Sequence, residues 1–136
     1  VSWVSHINHA LENDSFELYY QHYQALSQRA EGHHYEILLR MRDPEGNIVA
    51  PGTFLPAAER YNLTSKIDRW VVENYFIWLA KNPQHNAELT RVSINLSGHS
   101  LADKELKLFF LNAFEKHTFD DEKNVKNSFF NVFVNF

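Results

Sequence analysis

The chain has 136 residues, of which 44% are hydrophobic and 22% charged, a composition that supports one folded domain and excludes a disordered chain. A net charge of −4 argues against nucleic acid polymers or anionic membranes as partners, and the lack of Cys excludes disulfides and thiolate metal sites. No run approaches the roughly 18 apolar residues of a membrane span.

The first segment, VSWVSHINHALE, spaces Trp3, Ile7, Ala10 and Leu11 for one side of a short amphipathic helix, which the Asn13-Asp14-Ser15 break ends. FELYYQHYQAL at 16–26 is rich in strand formers, SQRAEG at 27–32 reads as a polar turn, and a second strand follows at 33–42. The connection is too short for a crossover helix, so the two strands pair as an antiparallel hairpin. DPEGN at 43–47 is a turn by composition, and Thr53 is placed to cap a short helix through about Tyr61.

In SKIDRWVVENYFIWLAKNP, 65–83, a helical stripe carries Ile67, Trp70, Val71, Tyr75, Trp78 and Leu79, with Ser65 and Asp68 at capping-box spacing. A strand at 91–96 alternates Val92, Ile94 and Leu96 with Ser93 and Asn95. Ser100 and Asp103 repeat the capping-box spacing before a helix to about Phe114, with Leu106, Phe109, Phe110 and Ala113 inward. The order β-β-α-α-β-α indicates an α/β sheet. Residues 117–128 are polar, and FFNVFVNF at 129–136 is suited to a final strand that would be a sticky edge if exposed.

The strand at 33–42 poses the functional question. Alternation puts Tyr35, Ile37, Leu39 and Met41 on one face and Glu36, Leu38, Arg40 and Arg42 on the other. The second face is either simply wet, the commonest reason for such a pattern, or a site. If the apolar faces of all three strands pack on helices, the opposite faces bring Gln21, Glu36, Arg40 and Asn95 together. A carboxylate, an amide oxygen and a guanidinium are the groups that hold a hard cation beside a phosphate.

These residues lie in fragments that resemble the EAL domain of bacterial signalling proteins. FELYYQ (16–21), EILLR (36–40), PGTFLPAAERYNL (51–63), IDRWV (67–71) and SINLSGHSL (93–101) follow in that family's order, with Ile37 where Ala is usual. The resemblance implies a modified (β/α)8, TIM-like barrel with an antiparallel first strand. A complete barrel takes ~250 residues, so the expectation is a partial, truncated barrel: a lead-in helix at 1–15, the N-terminal half of an EAL domain at 16–116 and a divergent tail at 117–136.

The same resemblance implies metal-assisted hydrolysis of cyclic di-GMP to linear pGpG, with Mg²⁺ or Mn²⁺ as cofactor. It assigns Glu36 and Asn95 to the metal and Arg40 to a substrate phosphate. Gln21 becomes a ligand-contacting glutamine, although His22 stands where Pro is usual. Leu38 meets the dinucleotide, and Pro51 and Asp68 are candidates for guanine contact. The family's later metal ligands and catalytic lysine have no counterpart in this chain, and Asp120-Asp121 lacks the apolar strand that should lead into an acidic pair. No complete catalytic set is therefore expected, metal binding should be weak or absent, and hydrolysis by the isolated chain slow or absent. The alternative is a non-catalytic cyclic di-GMP-binding module or a structural remnant. Expected partners are cyclic di-GMP, an upstream signalling domain in a longer protein, and further copies of the chain in a homo-oligomer with exchanged elements. A cytoplasmic location follows from the same resemblance.

Local reasons compete with some assignments. The Ser65 capping box would suffice for Asp68, a turn for Pro51-Gly52, and a solvated helix face for Glu59 and Arg60. His6 and His9 lack a third ligand, and His33 and His34 alternate faces.

Overall fold

A computed structural model describes residues 2–22, 33–97, 99–119 and 132–135. Helix α1 (Trp3–Glu12) opens on Ser2, whose Oγ accepts the Ser5 amide at 3.1 Å. Its Ile7 and Ala10 are fully buried, with Trp3, Val4 and Leu11 packed around them. Asn13 closes the helix by donating to the His9 carbonyl from both backbone (3.0 Å) and side chain (2.8 Å). Asp14 then turns the chain at φ 49° and accepts the Trp70 indole N–H at 3.0 Å, anchoring the turn.

Strands β1 (Phe16–His22) and β2 (His33–Arg42) pair antiparallel, from Phe16 opposite Met41 to His22 opposite Tyr35. The expected hairpin is present, while its turn at 27–32 and the strand extension to residue 26 lie outside the described residues. Asp43 closes the next turn by accepting the Asn47 amide at 2.8 Å, and Gly46 supplies the positive φ (86°) that the turn requires. The chain then adds β3 (Ile48–Val49), a two-residue strand on β2 too short to leave a periodic signal.

Helices α2 (Pro51–Arg60), α3 (Thr64–Lys81) and α4 (Pro83–Glu88) lead to β4 (Leu89–Asn95), which runs parallel to β2. After α5 (His99–Ala102) and α6 (Lys104–Phe119), β5 (Val132–Asn135) lies parallel to β4, so the segment suited to a final strand does form one. The sheet order is β1-β2-β4-β5, with β3 attached to β2. This is an α/β arrangement in which the parallel strands β4 and β5 follow helices, while β1 and the short β3 run antiparallel to β2.

One sheet face is the core. Phe16, Tyr35, Ile37, Met41, Val92 and Ile94 are buried with Phe54 and Ala58 of α2 and with Ile67, Val71, Val72, Tyr75, Phe76 and Leu79 of α3. Each fully buried Ile, Val or Phe contributes roughly 1.5–3 kcal/mol relative to exposure. Two details depart from the α3 stripe read in the sequence. Val72 and Phe76 are buried, and Trp78 is 43% exposed. Because α1, α2 and α6 also contact α3, the buried arc is wider than one sheet-facing stripe and shifts away from Trp78.

The helix starts also differ from the sequence expectation. Helix α2 begins at Pro51 with Ala50 as its N-cap, not at Thr53, because proline fits the first turn, where a backbone N–H would lack a partner. Helix α3 follows Leu63 with no side-chain cap, so the Ser65–Asp68 box does not form. Asp68 instead reaches across to the segment after β4. Its Oδ2 accepts the Ser97 amide at 2.9 Å, the Ser97 hydroxyl at 2.8 Å and the Ser100 hydroxyl. With Ser100 committed to that acceptor, α6 is capped by Asp103, which takes the Leu106 amide at 3.1 Å.

A second cross-link staples β1 to β2, where Arg42 Nε donates to Glu17 Oε1 and the Tyr19 hydroxyl donates to Glu17 Oε2 at 3.0 Å. The Arg42 hydrogen bond is the main cause holding the Glu17 carboxyl below its ordinary value, against a smaller opposing effect of burial.

Asp68→Ala should lower stability by about 2 kcal/mol, because it leaves two hydroxyls and one amide without their charged acceptor; the midpoint of urea unfolding reads this. The Glu17–Arg42 staple has its own pH signature. Because the folded carboxyl is depressed, its contribution is present above the unfolded carboxylate value and disappears as pH falls through the lowered one. Glu17→Gln should therefore reduce the melting temperature at neutral pH and leave it unchanged in strong acid.

Candidate functional site

The sheet face turned away from α2 and α3 carries the polar side chains. In the antiparallel register Gln21 lies opposite Glu36, and in the parallel register Ser93 lies beside Glu36. Asn95, two residues beyond Ser93 on the same face, donates from Nδ2 to Glu36 Oε1. Three of the residues singled out in the sequence, from three strands, thus form one cluster.

Arg40 is four residues further along β2 on this face, a rise of about 13 Å for an extended strand. Its Nη1 donates to the Leu39 carbonyl at 2.7 Å, and its guanidinium carbon is 6.0 Å from the centre of the Tyr19 ring. The two arginines of β2 are treated differently by their surroundings. Arg42 is paired with Glu17 and also donates to the Gly46 carbonyl at 2.8 Å. Among the described residues, no carboxylate pairs with Arg40.

A cavity of about 310 Å³ opens where β2 and β4 end, and Leu38, Arg40, Pro51, Asp68 and Asn95 line it together with Ser97. Five of the seven predicted residues therefore share one concavity. Gln21 and Glu36 are outside its lining; Glu36 is tied to it by the hydrogen bond from Asn95, and Gln21 lies opposite Glu36 in the strand register. Asp68 is only 7% exposed, and the three donors on its Oδ2 tie together Ser97, which lines the cavity, and Ser100. Arginine, carboxylate and amide thus flank a hollow with apolar walls, an arrangement suited to a flat ligand carrying phosphate.

Glu36 and Asn95 lie side by side, joined by a hydrogen bond from the Asn95 amide nitrogen to a Glu36 oxygen, and each also carries a hard oxygen donor of the kind that suits Mg²⁺ or Mn²⁺ and not a soft metal. Among the described residues no three His, Cys, Asp or Glu side chains converge, so protein oxygens would supply the minor share of a six-coordinate shell. Mg²⁺ tolerates this because it retains several waters.

Two features escaped the sequence reading. The serines of SINLSGHSL are structural partners of Asp68, a relation between residues about thirty positions apart that no local motif signals. On the opposite face of β1 and β2 lies a second cavity of about 410 Å³, walled by Tyr20, His22, Tyr35, Tyr75, Trp78 and His85. There the Tyr35 hydroxyl is 2.6 Å from that of Tyr75 and 2.7 Å from His85 Nε2. Burial pushes both tyrosine hydroxyls above their ordinary range. Tyr35 and Tyr75 were legible only as core, and His85 falls in a short helix absent from the periodicity.

Comparison with known proteins gives a consistent picture. A family model described as the EAL domain matches residues 4–126. The chain is 40% identical over 99 residues to cyclic di-GMP phosphodiesterase PdeB of Shewanella oneidensis, a match covering 73% of this chain and 11% of that protein. It is 35% identical over 105 residues to cyclic di-GMP phosphodiesterase PdeF of Escherichia coli, covering 74% of this chain and 13% of that one. The FimX EAL domain from Pseudomonas aeruginosa, solved bound to c-di-GMP, superposes with a TM-score of 0.78 at 30% identity, covering 98% of this chain and 49% of that chain. The chain thus spans a small part of these curated relatives and about half of the solved domain, and its fold is a partial TIM-like barrel. The chain belongs to the EAL domain family.

Proposed function

We propose that this chain is the N-terminal half of a cyclic di-GMP phosphodiesterase domain that binds the dinucleotide across the Gln21–Glu36–Arg40–Asn95 face and, alone, does not hydrolyse it at a useful rate. The observation that carries this reading is the contrast between the arginines of β2. Arg42 is neutralised by Glu17, and Arg40, at the rim of the cavity, has no acidic partner among the described residues. A buried or half-buried guanidinium without a carboxylate is suited to a phosphate oxygen pair.

In this reading Arg40 grips one phosphate, Gln21 contacts the ligand from β1, and Leu38, Pro51 and the edge of Asp68 border the guanine. Glu36 and Asn95 would hold Mg²⁺ or Mn²⁺. Once bound, such a cation supplies charge neutralisation at the phosphate and a water of lowered pKa. The chain's own residues hold and orient the phosphodiester and keep Asn95 fixed against Glu36. The sequence provides no later acidic pair or lysine in matching context to complete the hydrolytic set. The chain acts on the cytoplasmic side as part of a longer signalling protein with an upstream domain, and it self-associates. Among the described residues no helix is long and apolar enough to cross a membrane.

Calorimetric titration with cyclic di-GMP in Mg²⁺ tests this. Saturable binding is expected, with product pGpG undetectable by chromatography. Arg40→Ala should weaken binding roughly 10–100-fold, the equivalent of losing a charge-assisted hydrogen-bond pair, and Glu36→Gln should remove the dependence on Mg²⁺. Rapid turnover would instead assign a complete enzyme, and no binding at all would assign a structural remnant.

A further inference from the structure

The charged side chains of β1 and β2 are not paired as the strand register would pair them. Glu17 lies directly opposite Arg40 across the ladder, and Arg42 is two residues further along β2. Directly opposed residues of an antiparallel pair are roughly 5 Å apart, and diagonal neighbours roughly 7–8 Å. Proximity alone gives the Glu17 carboxylate to Arg40. It goes instead to the diagonal neighbour, with Arg42 Nε donating to Glu17 Oε1.

Both oxygens of that carboxylate are engaged. The Tyr19 hydroxyl donates to Oε2 at 3.0 Å, while Arg42 is anchored by donating from Nη1 to the Gly46 carbonyl at 2.8 Å. Gly46 belongs to the turn that Asp43 closes, so Arg42 is drawn toward the turn and draws the carboxylate with it. Arg40 is left with neutral neighbours. Its Nη1 donates to the Leu39 carbonyl, its guanidinium carbon lies 6.0 Å from the centre of the Tyr19 ring, and it lines the cavity beside Leu38 and Asn95. A carboxylate and a phosphate present the same paired anionic oxygens to a guanidinium. A carboxylate released beside Arg40 would therefore compete with a phosphate for the same N–H donors.

We infer that Arg42, assisted by Tyr19, is a positioning residue for phosphate binding: it holds the Glu17 carboxylate away from Arg40, and without it Glu17 closes on Arg40. Arg42 acts through Glu17 and need not touch the ligand. Tyr19 makes the smaller contribution, because its hydroxyl holds one oxygen of Glu17 and carries no charge. The effect on ligand binding rests on the proposed role of Arg40; the capture of Arg40 by a released Glu17 does not.

Calorimetric titration of the full chain with cyclic di-GMP and Mg²⁺ compares the parent with Arg42→Met, Arg42→Gln and the double variant Glu17→Gln/Arg42→Met. Both single substitutions remove the charge, and glutamine keeps an amide donor for the Gly46 carbonyl; far-UV circular dichroism checks that each variant stays folded. The Arg42 and Glu17 side chains are 43% and 32% exposed, so a pair at this place is worth about fivefold in affinity. Each single variant should bind more weakly by about that factor, and the double variant should regain the parent's affinity. Without ligand, the Arg40 guanidinium N–H groups, followed by ¹⁵N NMR, should exchange with water more slowly in the single variants than in the parent or the double variant. Unchanged affinity in both single variants overturns the inference. So does a loss that Glu17→Gln fails to restore, which would mark Arg42 as a brace of the 43–47 turn alone. A parent chain that does not bind cyclic di-GMP overturns the proposed ligand, and the Arg40 exchange rates then decide. Slowing confined to the single variants supports capture by Glu17, and equal rates throughout overturn it.

Discussion

The alternation of β2 over ten residues is the constraint on which the site depends. An extended strand cannot turn one side chain without turning the whole series, so burying Tyr35, Ile37 and Met41 against α3 forces Glu36, Leu38 and Arg40 to the opposite face. A slip of one residue would drive a carboxylate and two guanidiniums into the core, at a cost of several kcal/mol per unpaired ion. The apolar side of the strand thereby fixes the chemistry of the polar side. The neighbouring strands obey the same rule, with Phe16 of β1 and Val92 and Ile94 of β4 held inward while Gln21 and Asn95 are carried to Glu36.

Alternation sets the face, and long-range polar contacts set the detail. Glu17 neutralises Arg42, while Arg40 has no carboxylate pair among the described residues, although the two arginines are equivalent in spacing and strand. Asp68 performs a comparable service from α3. By gathering the Ser97 amide and two serine hydroxyls it fixes the turn after β4, and through that turn the position at which Asn95 leaves the strand. A carboxylate accepting three such donors is a rigid joint between a helix and a loop, and it explains why a buried acid is tolerated there.

What could be read from the sequence followed from periodicity. Helix α1, the hairpin, α3 and β4 each have enough turns or pleats to reveal an apolar face, and the second strand was read with its observed bounds. Elements of two to six residues, β3 and α4, have no period to detect. The capping boxes failed for a different reason. Ser65, Asp68, Ser100 and Asp103 have the right spacing, but Asp68 and Ser100 satisfy each other across the fold, and local spacing cannot register that competition. The polar cluster at Glu36 was legible as a shared face, whereas the cavity beside Arg40 required the placement of α2 and α3. The aromatic hollow was hidden because Tyr35 and Tyr75 look like ordinary core residues until their hydroxyls and His85 are seen together.

The two faces of the β1–β2 pair give the central claim a direct spatial test. Backbone amide shifts of ¹⁵N-labelled protein, followed by NMR during addition of cyclic di-GMP and Mg²⁺, report which face meets the ligand. The account predicts changes concentrated at Gln21, Glu36 to Arg40, and Asn95 to Ser97, with the amides of Tyr75, Trp78 and His85 unmoved. Shifts centred on the Tyr75–Trp78–His85 hollow, or no shifts at saturating ligand, would contradict it.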